Sequence, residues 1–209
     1  MSPDEIASMH PVLYHITRGS VVPSIKQHGL LSTSSLLDLF QVPPDQRRVL
    51  EERARPSSVT IAHPAYGKIT LTDNAPLREA ALNQCLDDGL TSADWMRLLN
   101  QRVFFWVNER DVDRHLQAGL KDGQARVVLK LDTLSVARAY LNRIELSAIN
   151  TGATLRRPAR RGLTTFAPAH LYTYREWRQL RTGRDRIKEF TVLGGIGDVA
   201  DHLRQGYAL

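Results

Sequence analysis

The sequence predicts a mixed α+β fold with an inserted β-hairpin, and three observations predict it. Arg102 to Val107 and Ala125 to Leu131 are apolar runs of strand length, and each is followed by a stretch with helical spacing. Ile187 to Leu193 alternates apolar and polar residues, as a strand with two unlike faces does. Ser58 to Thr72 holds two short β-rich runs around His63-Pro64-Ala65-Tyr66-Gly67, which reads as a hairpin.

Taken in order, residues 1–11 read as a loose lead-in. Leu13-Tyr14-His15-Ile16-Thr17 is a short strand with a histidine in its middle. A helix follows, with Pro23 suited to its first turn and Gly29 to its C-terminal cap. Ser32-Thr33-Ser34-Ser35 caps a helix over Leu36 to Phe40, and Pro43-Pro44 breaks it. Asp45 is expected to cap a charged helix that runs to about Arg55 and stops at Pro56. After the hairpin, Leu77 to Leu86 has helical spacing, and Thr91 opens a helix through Leu99.

Arg102 to Val107 is apolar and aromatic almost throughout, the pattern of a central strand. Asn108 begins a helix that runs past His115 to Gly119, and Asp132-Thr133 starts another to about Tyr140. Ile144 to Ser147 is a short strand. Residues 149–170 lack a periodic pattern and are rich in Gly, Thr, Arg and Pro, which predicts a functional loop. Tyr174 to Leu180 reads as helical. Gly194-Gly195 ends the last strand, and Ile196 to Leu203 is expected to close the chain as a helix.

A chain of 209 residues with 42% hydrophobic and 24% charged residues has ample material for one core, so residues 1–209 form a single domain. No apolar run approaches the roughly 20 residues of a membrane span, and the start lacks the pattern of a signal peptide. Cys85 is the sole cysteine, which excludes an intramolecular disulfide and fits a reducing cytoplasm. The net charge of +6 is uneven. Between Arg156 and Lys188 ten basic residues face two acidic ones, Glu176 and Asp185. Arginine at that density suits phosphate groups, of nucleic acid or of a dinucleotide, and equally suits a solvated basic surface.

The chain has no Gly-rich phosphate loop ending in Gly-Lys-Ser/Thr, no Gly-x-Gly-x-x-Gly after a strand and no Gly-x-Ser-x-Gly elbow. Its seven histidines include no pair at i and i+4, so a metal site is not expected. Polar residues set in or just after apolar strands remain. Glu189 shares one strand face with Ile187, Thr191 and Leu193, and such a carboxylate either meets solvent or sits in a pocket. Arg110 follows the central strand directly, between the acidic residues Glu109 and Asp111. His15 is a packed core histidine or a ligand.

Leu13-Tyr14-His15-Ile16-Thr17, the short helix after it and Gly29-Leu30 resemble the start of the DarT-type ADP-ribosyltransferases, which modify DNA using NAD. Arg102-Val103-Phe104-Phe105-Trp106-Val107-Asn108-Glu109-Arg110 is similar to that family's middle strand with its catalytic arginine. Lys188-Glu189-Phe190-Thr191-Val192, with Gly195-Ile196-Gly197-Asp198-Val199 behind it, is similar to the last strand with its glutamate. Over its whole length the chain looks closer still to an uncharacterised bacterial family of the same kind. The hairpin and the basic loop have no counterpart in the DarT pattern. Ser32-Thr33-Ser34 is similar to the Ser-Thr-Ser of arginine-modifying toxins in the wider superfamily. Those toxins carry a second glutamate two positions before the catalytic one, where this chain has Ile187.

The resemblance implies an ADP-ribosyltransferase-like split β-sheet core with peripheral helices, and NAD as a substrate without a metal. Glu189 and Arg110 are then the catalytic residues. His15 would hold the adenosine ribose with Thr17 beside it, and Tyr14, Phe105 or Trp106 would stack on nicotinamide. Ser32 is read first as a helix cap and second as the edge of the pocket. The expected acceptor is nucleic acid, a base in single-stranded DNA, with Arg156, Arg157, Arg160, Arg161 and Arg178 on phosphates. Phe166, Tyr172, Tyr174 and Trp177 are the candidates for stacking on bases. The alternatives are an NAD glycohydrolase, a transferase to protein or a small molecule, and a basic nucleic-acid-binding module without catalysis.

Overall fold

The computed structural model describes residues 1–119, 125–155, 158–180 and 187–204. Helix α1 (Pro3–Met9) precedes strand β1 (Val12–Arg18), and a 3-10 turn leads to α2 (Val22–His28), β2 (Leu30–Leu31), α3 (Thr33–Leu39) and α4 (Pro44–Glu52). The hairpin is β3 (Val59–His63) and β4 (Gly67–Leu71). Helices α5 (Glu79–Asn83) and α6 (Ser92–Asn100) lead to β5 (Arg102–Trp106), α7 (Glu109–Gly119), β6 (Arg126–Asp132) and α8 (Thr133–Tyr140). Strands β7 (Ile144–Ser147) and β8 (Ala167–Pro168), helix α9 (Tyr174–Leu180), and strands β9 (Glu189–Leu193) and β10 (Gly195–Ile196) complete the order.

Side chains set most of the helix starts. Ser32 accepts the Ser35 amide at 3.1 Å, Asp132 accepts the Ser135 amide at 2.9 Å, and Thr91 and Asp94 form a reciprocal capping box. Gly29 ends α2 with φ 84°, and a Cβ there would lie 2.5 Å from the Gly197 carbonyl oxygen.

Six strands form an antiparallel sheet in the order β6-β1-β5-β9-β7-β8. Strand β5 is central, as its aromatic run predicts. Strand β9, between β5 and β7, buries Glu189, Phe190, Thr191 and Val192 alike. The expected two-faced strand is therefore covered on both sides. On one side lies the main core, with Leu13, Phe105, Leu131, Leu146, Phe190 and Val192. On the other, Phe104 packs against a smaller core of Leu77, Leu82, Cys85, Trp95, Met96 and Phe166. The hairpin closes a separate core with α3 and α4, built on Leu37, Phe40, Leu50, Ile61, Ile69 and Leu71.

The sheet is nearly divided in its middle. Strands β1 and β6 pair over seven residues, from Val12–Asp132 to Arg18–Arg126, and β5 and β9 pair over five. Between β1 and β5 the ladder holds one pair, Tyr14 opposite Trp106.

The structure departs from the sequence reading in four places. Residues 3–9 are a helix rather than a loose lead-in, because Ser2 accepts the Glu5 amide, Pro3 opens the first turn and Ile6 is buried. Asp45 lies inside α4, whose cap is Pro43, so its charge favours the helix by meeting the N-terminal dipole. Gly195-Ile196 pairs with Leu30-Leu31, and only Val199–His202 forms a short 3-10 helix after it. The loop 149–170 contains β8 and two 3-10 turns. No helix among the described residues is long and apolar enough to cross a membrane.

Candidate functional site around Glu189

Residues directly opposite in antiparallel strands share a face of the sheet. The register therefore sets Lys130, Tyr14, Trp106, Glu189 and Ser147 in one row across β6, β1, β5, β9 and β7. Glu189 stands at the head of its strand, 5% exposed. Its carboxylate accepts the Thr151 hydroxyl at 2.7 Å and the Thr151 amide at 3.2 Å from each oxygen. Burial raises its pKa from 4.5 to about 7 against the pull of those bonds and of the Arg161 and Lys188 charges. A carboxyl group at that value exchanges its proton near neutral pH.

Two cations flank the aromatic members of the row. The Lys130 ammonium lies 5.6 Å from the Tyr14 ring centre and 3.0 Å from Glu109. That of Lys188 lies 5.5 Å from the Trp106 ring centre and 2.6 Å from Asp111. His115 of α7 meets the Trp106 ring with centres 5.9 Å apart.

His15, Thr17 and Phe105 alternate to the opposite face, so the structure does not bring the imidazole and the Glu189 carboxylate together on one face. His15 instead closes the divided sheet. Its Nδ1 donates to the Phe104 carbonyl at 2.9 Å, and its ring lies 5.7 Å from that of Phe105. Desolvation lowers its pKa, which keeps the ring neutral with Nε2 as an acceptor. Thr17 is buried, and Phe105 packs edge-on against Phe190 in the main core. Phe105 is thus a core residue rather than a stacking surface, because strand alternation turns it away from Glu189.

Arg110 is exposed in the first turn of α7, beyond the end of β5. Ser32 is buried as the cap of α3, and its own amide donates to the Gly194 carbonyl at 3.0 Å beside the end of β9.

The basic segment divides by environment. Arg156 and Arg157 lie outside the described residues. Arg160 is exposed and paired with Asp87. Arg161 is 2% exposed and donates to the carbonyls of Ala159 at 3.0 Å, Thr151 at 2.9 Å and Ala153 at 3.2 Å. It fastens the loop from inside and faces no phosphate, which corrects the sequence reading. Phe166 stacks on Trp95, and Trp177 is fully buried under Tyr174, so neither presents a ring to a base. Arg178 is exposed and lies 5.9 Å from the half-buried Tyr174 ring.

Thr151 and the structural role of Arg161 are the features that sequence reasoning missed. The irregular composition of 149–170 marks the segment as functional without saying which residues turn inward. A separate chain of bonds links Ser135 to His202 Nδ1 at 2.6 Å and His202 Nε2 to Asp198 at 3.2 Å. It ties the terminal 3-10 helix to α8. Among the described residues, no group of three or more His, Cys, Asp or Glu is placed to hold a metal ion.

No curated protein and no solved structure matches the chain. A protein-family model matches residues 11–203, a span that contains β1, the Thr151 loop and β9. The chain belongs to the family of unknown function DUF7002.

Proposed function

We propose that this domain is an NAD-dependent mono-ADP-ribosyltransferase with Glu189 as its catalytic carboxylate. The environment of Glu189 carries the reading. It is a buried, proton-exchanging carboxylate at the head of an inner strand, in one row with the rings of Trp106 and Tyr14. The accompanying fold reading is an ADP-ribosyltransferase-like split-sheet core, and the single pair between β1 and β5 supports it.

In this reading NAD lies along the split. Trp106 and Tyr14 stack on the nicotinamide on the face that carries Glu189, while His15, on the opposite face, holds the Phe104 carbonyl across the split instead of the ribose that the resemblance implies. Arg110, at the open end of β5, meets the pyrophosphate. The bond between nicotinamide and C1′ of its ribose breaks, and its electron pair leaves with nicotinamide. Glu189 accepts a ribose hydroxyl and stabilises the cationic C1′. The acceptor atom then bonds to C1′, and its proton passes to Glu189.

The acceptor class that fits the remaining exposed cations is nucleic acid, with single-stranded DNA first. Arg175 and Arg178 on α9 are exposed, and Arg160 is held only by a surface ion pair of little strength. A second reading, an NAD glycohydrolase or a transferase to protein, is favoured by the inward turn of Arg161, which removes one cation from the basic surface. Incubating the protein with NAD, alone and with oligonucleotides of each base, separates the readings. Mass addition of ADP-ribose to DNA supports the first, and nicotinamide release that no oligonucleotide changes supports the second. NAD left intact under all conditions would remove both.

A further inference from the structure

The carboxylate of Glu189 receives three hydrogen bonds from one residue, Thr151, which belongs to an irregular loop rather than to the sheet. A loop donor holds a fixed direction only when its own backbone is held. Thr151 is fully buried, and its carbonyl accepts Nη1 of Arg161 at 2.9 Å. The same guanidinium reaches Ala153 two residues on, so it clamps both sides of Gly152.

Arg161 is itself anchored at both backbone atoms. Its amide donates to the Cys85 carbonyl at 2.9 Å, and its carbonyl accepts the Asp87 amide at 2.8 Å. At the next residue a Cβ on Gly162 would lie 2.2 Å from the Asp88 carboxylate, so a side chain there would displace the carboxylate that accepts the Leu163 amide. The loop is also pinned at Thr154, whose amide donates to Pro76 at 3.0 Å and whose hydroxyl accepts the Arg78 amide at 2.7 Å. Burying a guanidinium is a costly means of closing a loop, since apolar packing does the same without desolvating a charge. The arrangement becomes useful if the charge and the clamp act on Glu189.

We propose that Arg161 is a positioning residue, which fixes the Thr151 backbone so that the Thr151 amide and hydroxyl set the orientation and proton affinity of the Glu189 carboxylate. The inference rests on the reading of Glu189 as the catalytic carboxylate. The charged groups that act on Glu189 are Arg161 from the loop and Lys188 at the head of β9. Its cross-strand neighbours, Trp106 on β5 and Ser147 on β7, carry no charge. Arg161 favours the ionised form through its charge and, through Thr151, by hydrogen bonding. Removing it therefore moves the Glu189 titration upward.

The test is a carbon NMR titration of side-chain carboxyl groups in protein labelled with ¹³C-glutamate, with Glu189 assigned by its loss in Glu189→Gln. No NAD is needed. Thr151→Val keeps the amide and removes the hydroxyl donor, so its midpoint should rise by about one pH unit. Thr151→Ser keeps both donors and should titrate like the wild type. Arg161→Gln should raise the midpoint at least as far as Thr151→Val. The acid limb of any pH–rate profile should move with these midpoints. A midpoint unchanged in Thr151→Val would overturn the proposal, and this arm decides it even if Arg161→Gln fails to fold. Failure of the catalytic reading would be seen separately, as activity that survives Glu189→Gln.

Discussion

Thr151 and Glu189 are 38 positions apart in sequence, yet the Thr151 hydroxyl donates to the Glu189 carboxylate at 2.7 Å inside the protein. The burial of that carboxylate, which outweighs the Thr151 bonds, predicts a pH dependence of stability. The folded state raises the Glu189 pKa from 4.5 to about 7, so it binds the proton more tightly than the unfolded chain does. The resulting stabilisation is complete below about pH 4.5 and is lost as pH rises through 7. At about 1.4 kcal/mol per pH unit, the loss is on the order of 3 kcal/mol. Glu189→Gln has no such proton to lose. Urea unfolding at pH 5 and pH 8 should show a smaller fall for the variant than for the wild type. Equal falls would mean that the carboxylate is not desolvated.

Arg160 and Arg161 are neighbours of the same type in opposite environments, and their alanine variants should differ sharply. Arg161→Ala removes the donor to the buried Thr151 carbonyl and to the partly buried carbonyls of Ala153 and Ala159, and should cost about 1–3 kcal/mol in urea unfolding, the range for a buried acceptor left unsatisfied. Arg160→Ala loses one surface pair and should leave the urea midpoint nearly unchanged. Similar costs at both positions would contradict the buried clamp.

Gly195 lets β10 meet β2. It sits at φ 101°, and a Cβ there would lie 2.3 Å from the Leu30 carbonyl oxygen. Gly195→Ala should destabilise by about 2–4 kcal/mol, by forcing both the backbone angle and the neighbouring strand to give. Its thermal midpoint should fall well below that of Gly152→Ala, where a Cβ meets nothing within 4 Å.

The basic surface makes a prediction of its own. Arg175→Glu with Arg178→Glu should weaken single-stranded DNA binding and flatten its salt dependence, by a log–log slope of about 0.7 for each phosphate no longer neutralised. Nicotinamide release from NAD should stay unchanged, because neither residue belongs to the row of side chains around Glu189. A salt slope that does not move would place the nucleic acid elsewhere.

Much of the fold is legible in the sequence because local chemistry marks it. Ser32, Thr91 and Asp132 announce their helices as caps, Gly29 ends one, and the aromatic run of β5 marks the centre of the sheet. The start of α1 carries the same kind of signal in Ser2-Pro3-Asp4-Glu5, but the helix behind it is too short to show a clear apolar period. The Gly195-Ile196 pairing is illegible, since a two-residue strand depends on a partner far away at Leu30-Leu31. The site is legible in part. Glu189 stands out as a carboxylate in an apolar strand, but whether Arg161 turns outward to phosphate or inward to carbonyls depends on where residues 85–88 cross the loop. No periodicity within 149–170 encodes that crossing.

The most direct test of catalysis by Glu189 compares nicotinamide release from NAD by wild-type protein and by Glu189→Gln, with single-stranded oligonucleotides present and folding verified by circular dichroism. The wild type should release nicotinamide and label the DNA, and the variant should be slower by at least about a hundredfold. Equal rates for a folded variant would contradict the assignment of Glu189.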